Sequence, residues 1–264
     1  MRRLTRVYQI GLIALLSALL LAMIDPTFAL VPLTLYVLLY LLAPFLHRLG
    51  LFLTVISRGN PGLGAVALTF DDGPDPRTTP ALLQLLAHHG VEATFFVIGE
   101  RVANRHDLIK VILEQGHTIG NHGFHHDAWV AFKGAQHVMD EIEATQKVLA
   151  GLGVTPRLFR PPVGITYPAM GRALTKLGMT AVTFNCQAWD RGNRSITHLA
   201  RRIMSRVKPG DIIMLHDGLP PESGDVDRWL GEVAAIIEGL QKGGIEIRPL
   251  AELIGRPVHG KLAA

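Results

Sequence analysis

The feature that most constrains this chain is a regular alternation beginning at residue 65. Short apolar runs of strand length recur at residues 65–70, 93–98, 118–121, 157–160, 181–185, 211–215 and 245–250. Longer stretches with helical periodicity separate them, at 80–88, 108–115, 138–149, 168–177, 196–207 and 229–241. Unbroken apolar runs suit strands covered on both faces, as in a parallel sheet. Gly90, Gly116, Gly151, Gly178 and Gly243 follow helical stretches, where the chain must stop a helix and turn. Seven strand–helix repeats predict an α/β fold, a distorted (β/α)7 barrel, over residues 65–255. In such folds reacting groups gather at the C-terminal ends of strands. The polar residues with chemical potential fall there: Asp71 and Asp72, His122 to His126, Arg160, Asp190 and His216.

The front of the chain differs in kind. Residues 7–24 and 28–46 contain no charged side chain, whereas the whole chain is 18% charged. Each run is near the ~20 residues that cross a bilayer as a helix, and Asp25-Pro26 separates them. The sequence predicts an N-terminal transmembrane helical hairpin in residues 1–50, contacting membrane lipid through residues 7–46, and a turn-rich linker at 51–64. A cleaved secretory signal is the competing reading of a basic start and an apolar run. The second apolar run, directly after the first, disfavours it. Arg2, Arg3 and Arg6 precede the first run, and His47, Arg48 and Arg58 follow the second. Basic flanks favour the cytoplasmic side, and two spans return the chain to its starting side. The expectation is a protein of a bacterial cytoplasmic membrane, with its catalytic domain on the cytoplasmic face. These flanks account for much of the +4 charge. No basic run interleaved with aromatics marks a nucleic-acid partner. Cys186 is the one cysteine, so no intrachain disulfide forms; its apolar context reads as packing and not as a nucleophile.

Asp71 and Asp72 end an apolar run and precede Gly73-Pro74. Adjacent carboxylates repel unless a cation or proton is shared, and a metal relieves this for one of them. Taken alone, the same four residues also suit an ordinary turn. His122 and His126 are four apart with His125 between, a spacing at which two imidazoles can grip one divalent ion. Spacing leaves His125 and His126 open as the second ligand. His216 follows the apolar run 211–215, and an imidazole there can serve as a proton donor near neutral pH. Arg160, before Pro161-Pro162, fits a structural ion pair or the orientation of a carboxylate. Asp190 can pair with either basic group.

These stations, in this order, resemble the polysaccharide deacetylase (NodB-homology) family, also called carbohydrate esterase family four, from about residue 66 to 250. The resemblance is carried by Thr69-Phe70-Asp71-Asp72-Gly73, by the pair His122 and His126, by Arg160-Pro161-Pro162-Val163-Gly164, and by Leu215-His216-Asp217. It implies Asp71 as general base and Asp72, His122 and His126 as ligands of a divalent metal, commonly zinc. It implies His216 as general acid and the backbone N–H of Val163, where the family has tyrosine, as an oxyanion donor. Two departures bear on the site. Gly123 stands where the family has serine or threonine, and Gln187 replaces one of two aspartates beside a displaced tryptophan, with Asp190 assigned to the retained one. Asp190 then tunes Arg160 or His216.

The implied activity is a membrane-anchored, metal-dependent hydrolase. It would remove N-acetyl groups from an amino-sugar polymer, an oligosaccharide or a lipid-linked sugar. One alternative is a deformylase of a lipid-linked amino sugar, which a cytoplasmic domain out of reach of finished envelope polymer would favour. Another is a catalytically weak carbohydrate-binding protein, motivated by Gly123 and Gln187. Trp129, Phe132 and the loop 219–226 are candidates to line the glycan groove.

Overall fold

The computed structural model describes residues 5–127, 133–219 and 225–259. Trp129, Phe132 and most of the 219–226 loop, expected to line a groove, lie outside the described residues.

The apolar front folds as α1 (Arg6–Ala22) and α2 (Leu30–Leu42), packed on one another. A short 3-10 turn, Pro26–Ala29, joins them, capped by the Asp25 carboxylate, which accepts from Thr27 N–H at 2.8 Å. Gly11 makes close packing possible: a Cβ there would stand 2.7 Å from the Tyr36 ring. The stretch Pro26–Phe45, 20 residues, is long and apolar enough to cross a membrane and is almost wholly exposed. α1 is also apolar but, at 17 residues, shorter.

The remaining strands are β1 (Val55–Ile56), β2 (Ala65–Asp71), β3 (Thr94–Val97), β4 (Thr118–Asn121), β5 (Leu158–Phe159), β6 (Thr180–Val182), β7 (Cys186–Gln187), β8 (Ile212–His216) and β9 (Glu246–Ile247). The helices are α3 (Thr79–His88), α4 (Gly99–Asn104), α5 (His106–Glu114), α6 (Gly134–Ala150), α7 (Pro168–Leu177), α8 (Leu199–Met204), α9 (Val226–Lys242) and α10 (Leu250–Ile254). Every strand pairing is parallel, in the order β1-β6-β5-β4-β3-β2-β8-β7, with β9 on the start of β2. Only residues 183–185 join β6 to β7, yet these strands lie near opposite ends of the order. The sheet must therefore curl until its edges nearly meet, which makes it the distorted barrel the alternation predicts.

Strand periodicity sorts the two faces. On β2, Val66, Leu68 and Phe70 pack outward with the helix-side core, which includes Leu82, Ile109 and Trp229. Ala65 and Ala67 face inward with Phe96, Ile212 and Met214. Thr69 and Asp71 continue that inward face, so the barrel has an apolar floor and a polar top.

Three expectations need correction. Residues 51–64 are not a bare linker: Leu51 and Phe52 are buried, and β1 pairs with β6. A two-residue strand is too short to leave a periodic signal. The helix expected at 196–207 is cut to α8 because His198 adopts a left-handed backbone, φ 62°. The run 245–250 splits into β9 and the start of α10, since a short buried helix and a buried strand look alike as an apolar run. β7 and α4 also form where no element was expected.

Candidate active site

β2 carries Asp71 to the inner rim, and the chain then turns sharply. Asp72 holds a left-handed backbone, φ 72°, and the Arg101 guanidinium donates to its carbonyl at 2.8 Å. This turn aims the two carboxylates in different directions. Asp72 Oδ1 lies 3.4 Å from His122 Nε2 and 3.2 Å from His126 Nε2. It is buried and has no hydrogen-bond partner. One ligand atom from each of these three residues falls within 4.8 Å of the others.

The histidines are prepared as donors of lone pairs. His122 Nδ1 sits 2.7 Å from the Arg160 carbonyl. A carbonyl only accepts, so the proton is on Nδ1 and the Nε2 lone pair points at Asp72. Burial and the neighbouring His122 push His126 down, favouring the neutral form that binds metals. Burial alone would raise the Asp72 carboxyl, but positive charge on His122 and His126 outweighs it and holds it well below the usual carboxylate range, so the carboxylate stays charged beside a cation.

His125 points elsewhere, so the choice that spacing left open falls to His126. The His125 ring is 2.6 Å from Glu141 Oε1 and its side chain is 61% exposed. Glu141 Oε2 also accepts the backbone N–H groups of Phe124 and His125, at 3.0 and 2.9 Å. Asn121 accepts from Gly123 N–H at 2.9 Å. Gly123 itself has φ 84°, a conformation that a side chain resists. The loop is thus braced by Asn121 and Glu141 without the hydroxyl residue usual at position 123.

Across from this cluster, Asp71 Oδ1 accepts from Arg160 at 2.6 Å, while its Oδ2 lies 4.0 Å from His122 Nε2. Arg160 is wholly buried, and a buried cation needs partners on every side. It also donates to Thr69 Oγ1 at 2.8 Å and to the Thr183 carbonyl at 3.2 Å, and lies 3.9 Å over the Phe96 ring. Gly120 makes room for that ring, since a Cβ would stand 2.4 Å from it.

β8 places His216 opposite Asp71 in the sheet register. Its Nδ1 donates to Asp190 Oδ2 at 2.8 Å, so Asp190 pairs with His216 and not with Arg160. Burial would lower the imidazole, but the hydrogen bond and charge of Asp190, with Asp72 and Asp71 behind it, lift it to about 9. Asn193 donates to the carbonyls of His216 and Gly218, at 2.8 and 2.9 Å, and fixes this corner. Val163 occupies the 3-10 turn Pro162–Gly164 with φ 52° and is 57% exposed at the rim.

Sequence reasoning missed two supports, Glu141 and Asn193, and gave no role to a third, Asp217. Asp217 is fully buried, accepts from the Thr78 and Thr79 hydroxyls at 2.7 and 2.6 Å, and donates its N–H to the Asp71 carbonyl at 2.7 Å. Burial, against those hydroxyls, raises it to about 7. Its adjacency to His216 was the available signal. Glu141 gave none, because one acid in an amphipathic helix reads as a surface charge. Cys186 is buried and free, and burial pushes its thiol up to about 12, which fits packing and not nucleophilic attack.

Three residues able to hold a divalent ion, facing a carboxylate and an imidazole on adjacent strands, define a hydrolytic class of centre. The comparisons with known proteins fall in that class. The sequence profile described as polysaccharide deacetylase matches residues 58–182. A chitooligosaccharide deacetylase of Bradyrhizobium sp. (strain ANU 289) is 33% identical over 201 residues, covering 73% of this chain and 91% of the relative. A peptidoglycan-N-acetylglucosamine deacetylase of Bacillus cereus is 33% identical over 191 residues, covering 72% and 87%. The crystal structure of the Bc1960 peptidoglycan N-acetylglucosamine deacetylase superposes with a TM-score of 0.71 at 27% identity, covering 78% of this chain and 95% of that one. The chain therefore belongs to the polysaccharide deacetylase family, carbohydrate esterase family four, hydrolases of the amide bonds of acetylated sugars.

Proposed function

We propose that this protein is a metal-dependent N-deacetylase of glycans containing N-acetylglucosamine, with zinc as its ion. The observation that carries the reading is Asp72 Oδ1, buried without a hydrogen-bond partner between two imidazole nitrogens. A buried carboxylate oxygen left unpaired is costly unless a cation completes it. Two nitrogens and an oxygen form a donor set suited to zinc. An ion held by Asp72, His122 and His126 supplies Lewis acidity toward the amide carbonyl and eases the deprotonation of water.

The chain's own groups do the rest. Asp71 accepts the proton of the attacking water, with Arg160 holding the carboxylate so that Oδ2 faces the reacting space. The Val163 N–H donates to the oxyanion. His216 gives its proton to the nitrogen as the carbon–nitrogen bond breaks, and Asp190 holds the ring in place. The products are acetate and a free amino sugar.

Acetate release from chitooligosaccharides by the full chain, before and after chelation and zinc return, tests this. N-formyl counterparts of the same sugars form the second arm. Acetate release lost on chelation and restored by zinc is expected. Formate release in preference to acetate would assign the site to a deformylase, and no release from either would remove the enzymatic reading.

The reading extends to organisation. Residues 1–50 form the membrane anchor and 65–255 the catalytic domain. Val7, at the start of α1, donates its N–H to the Leu51 carbonyl, just past the anchor, which supports placing the N-terminus and the domain on one side of the bilayer. The basic flanks make that the cytoplasmic side. A C-terminal reporter that works only outside the membrane is expected to stay silent; a strong signal would overturn this orientation.

A further inference from the structure

The hairpin joins the catalytic domain without slack. Val7 and Ala43 bury together with Leu51 and Phe52. Val7 N–H donates to the Leu51 carbonyl at 3.0 Å, and Thr166 N–H donates to the Pro44 carbonyl at 3.0 Å. His47 Nδ1 sits 3.2 Å from the Gly164 carbonyl, and its ring meets Phe184 edge-on at 5.6 Å. Arg48 donates to the Asn185 carbonyl at 2.8 Å. The docking points are the segment after β5, which carries Val163, and the junction between β6 and β7.

This geometry fixes how far the site stands from the bilayer. A free segment of residues 51–64 would let the domain reach about 45–50 Å outward, at the extended length of a chain. The docked segment gives no such reach. His47 lies two residues beyond the end of the apolar stretch Pro26–Phe45 and touches the residue after Val163. The polar layer of a bilayer adds only about 5–8 Å to each side of its hydrocarbon. If Pro26–Phe45 spans the bilayer, this contact sets Val163 at the depth of the lipid headgroups. Beyond Leu49, the exposed large apolar side chains among the described residues are Val111, Val163 and Trp189. Two of the three belong to this rim, and Trp189, 62% exposed, is of the type that settles at membrane interfaces.

We infer that the catalytic rim rests against the membrane interface and that the substrate is a glycolipid. It is an N-acetylated amino sugar whose lipid chain remains in the leaflet that the rim touches. Val163 and Trp189 meet the bilayer, and the sugar headgroup enters between them and the metal cluster. This rests on the deacetylase reading and names its substrate class.

The test uses the full chain, zinc-loaded, in lipid nanodiscs. Acetate release is measured from a synthetic N-acetylglucosamine glycolipid with a long polyprenyl chain, from the same headgroup on a short water-soluble chain, and from chitotetraose. At least tenfold faster release from the glycolipid at matched concentration is expected. Headgroup-spin-labelled lipid is expected to quench tryptophan emission, and the quenched fraction to vanish in Trp189→Phe. Equal or faster hydrolysis of either soluble sugar would overturn the glycolipid assignment and leave the deacetylase reading standing. Absence of Trp189 quenching would overturn the apposition of the rim. No acetate from any of the three would remove the deacetylase reading itself.

Discussion

The two sides of the site treat their polar atoms differently. On the metal side, Asp72 Oδ1 has no hydrogen-bond partner and faces two nitrogens. On the proton side, Asp71 is held by Arg160 and His216 by Asp190. On the proposed reading, one side waits for a cation, and the other is set in advance by the fold. Because the cost of an unpaired buried group is large, the first side calls for a cation from solution, while the second has its partners within the chain.

That contrast is sharpest in Asp71→Asn. Turnover should fall by about 10²–10⁴, the usual range for a general base, while zinc content by elemental analysis stays the same. Loss of metal with activity would merge the two sides. Arg160→Met comes next. It strands Asp71 in the interior, and breaking one partner of a buried ion pair costs about 3–5 kcal/mol, read from denaturant unfolding in detergent. A smaller shift would mean that Asp71 finds another donor. On the metal side, Glu141→Gln weakens the loop that positions His126, and zinc affinity should drop about tenfold, as for other outer supports of metal ligands. Competition with a chromogenic chelator reads it.

Asp190→Asn moves a pH limb and leaves the metal in place. His216 works as an acid only when protonated. With its value raised to about 9, activity should persist to that pH and decline above it. Without the Asp190 charge the limb should move down toward the unperturbed 6.5; an unmoved limb would separate His216 from the acid step. The smallest effect belongs to His125→Ala, which should keep zinc and lose less than about half of its activity, since that ring is exposed and turned to Glu141. Zinc loss there would return His125 to the ligand set.

How much of this was legible follows the range of the forces involved. Most of the metal side could be read from local text, because Asp72 directly follows β2 and His122 directly follows β4. The proton side could be read as candidates only. Nothing local tells Asp190 to choose His216 over Arg160; the parallel pairing of β7 with β8 decides it. The selection of His126 over His125 required Glu141, a residue of α6 that looks like any solvated acid. The docked segment at residues 51–56 was illegible for a similar reason. Its burial comes from contact with both hairpin helices and with β6, and its turn-rich composition describes only its own conformational freedom.

Strand order also sets the sequence of events during synthesis. β2 pairs with β8, whose residues are made roughly a hundred and forty positions later, as the Thr69 hydroxyl bonded to the Ile213 carbonyl attests. Asp72, His122 and His126, the proposed ligands, leave the ribosome well before His216, the proposed acid. On the proposed roles, a nascent chain owns its candidate ion-binding residues while it still lacks the group proposed to release the amine, and the curled sheet can close only when the last third arrives. Competence to hold the ion precedes competence to react.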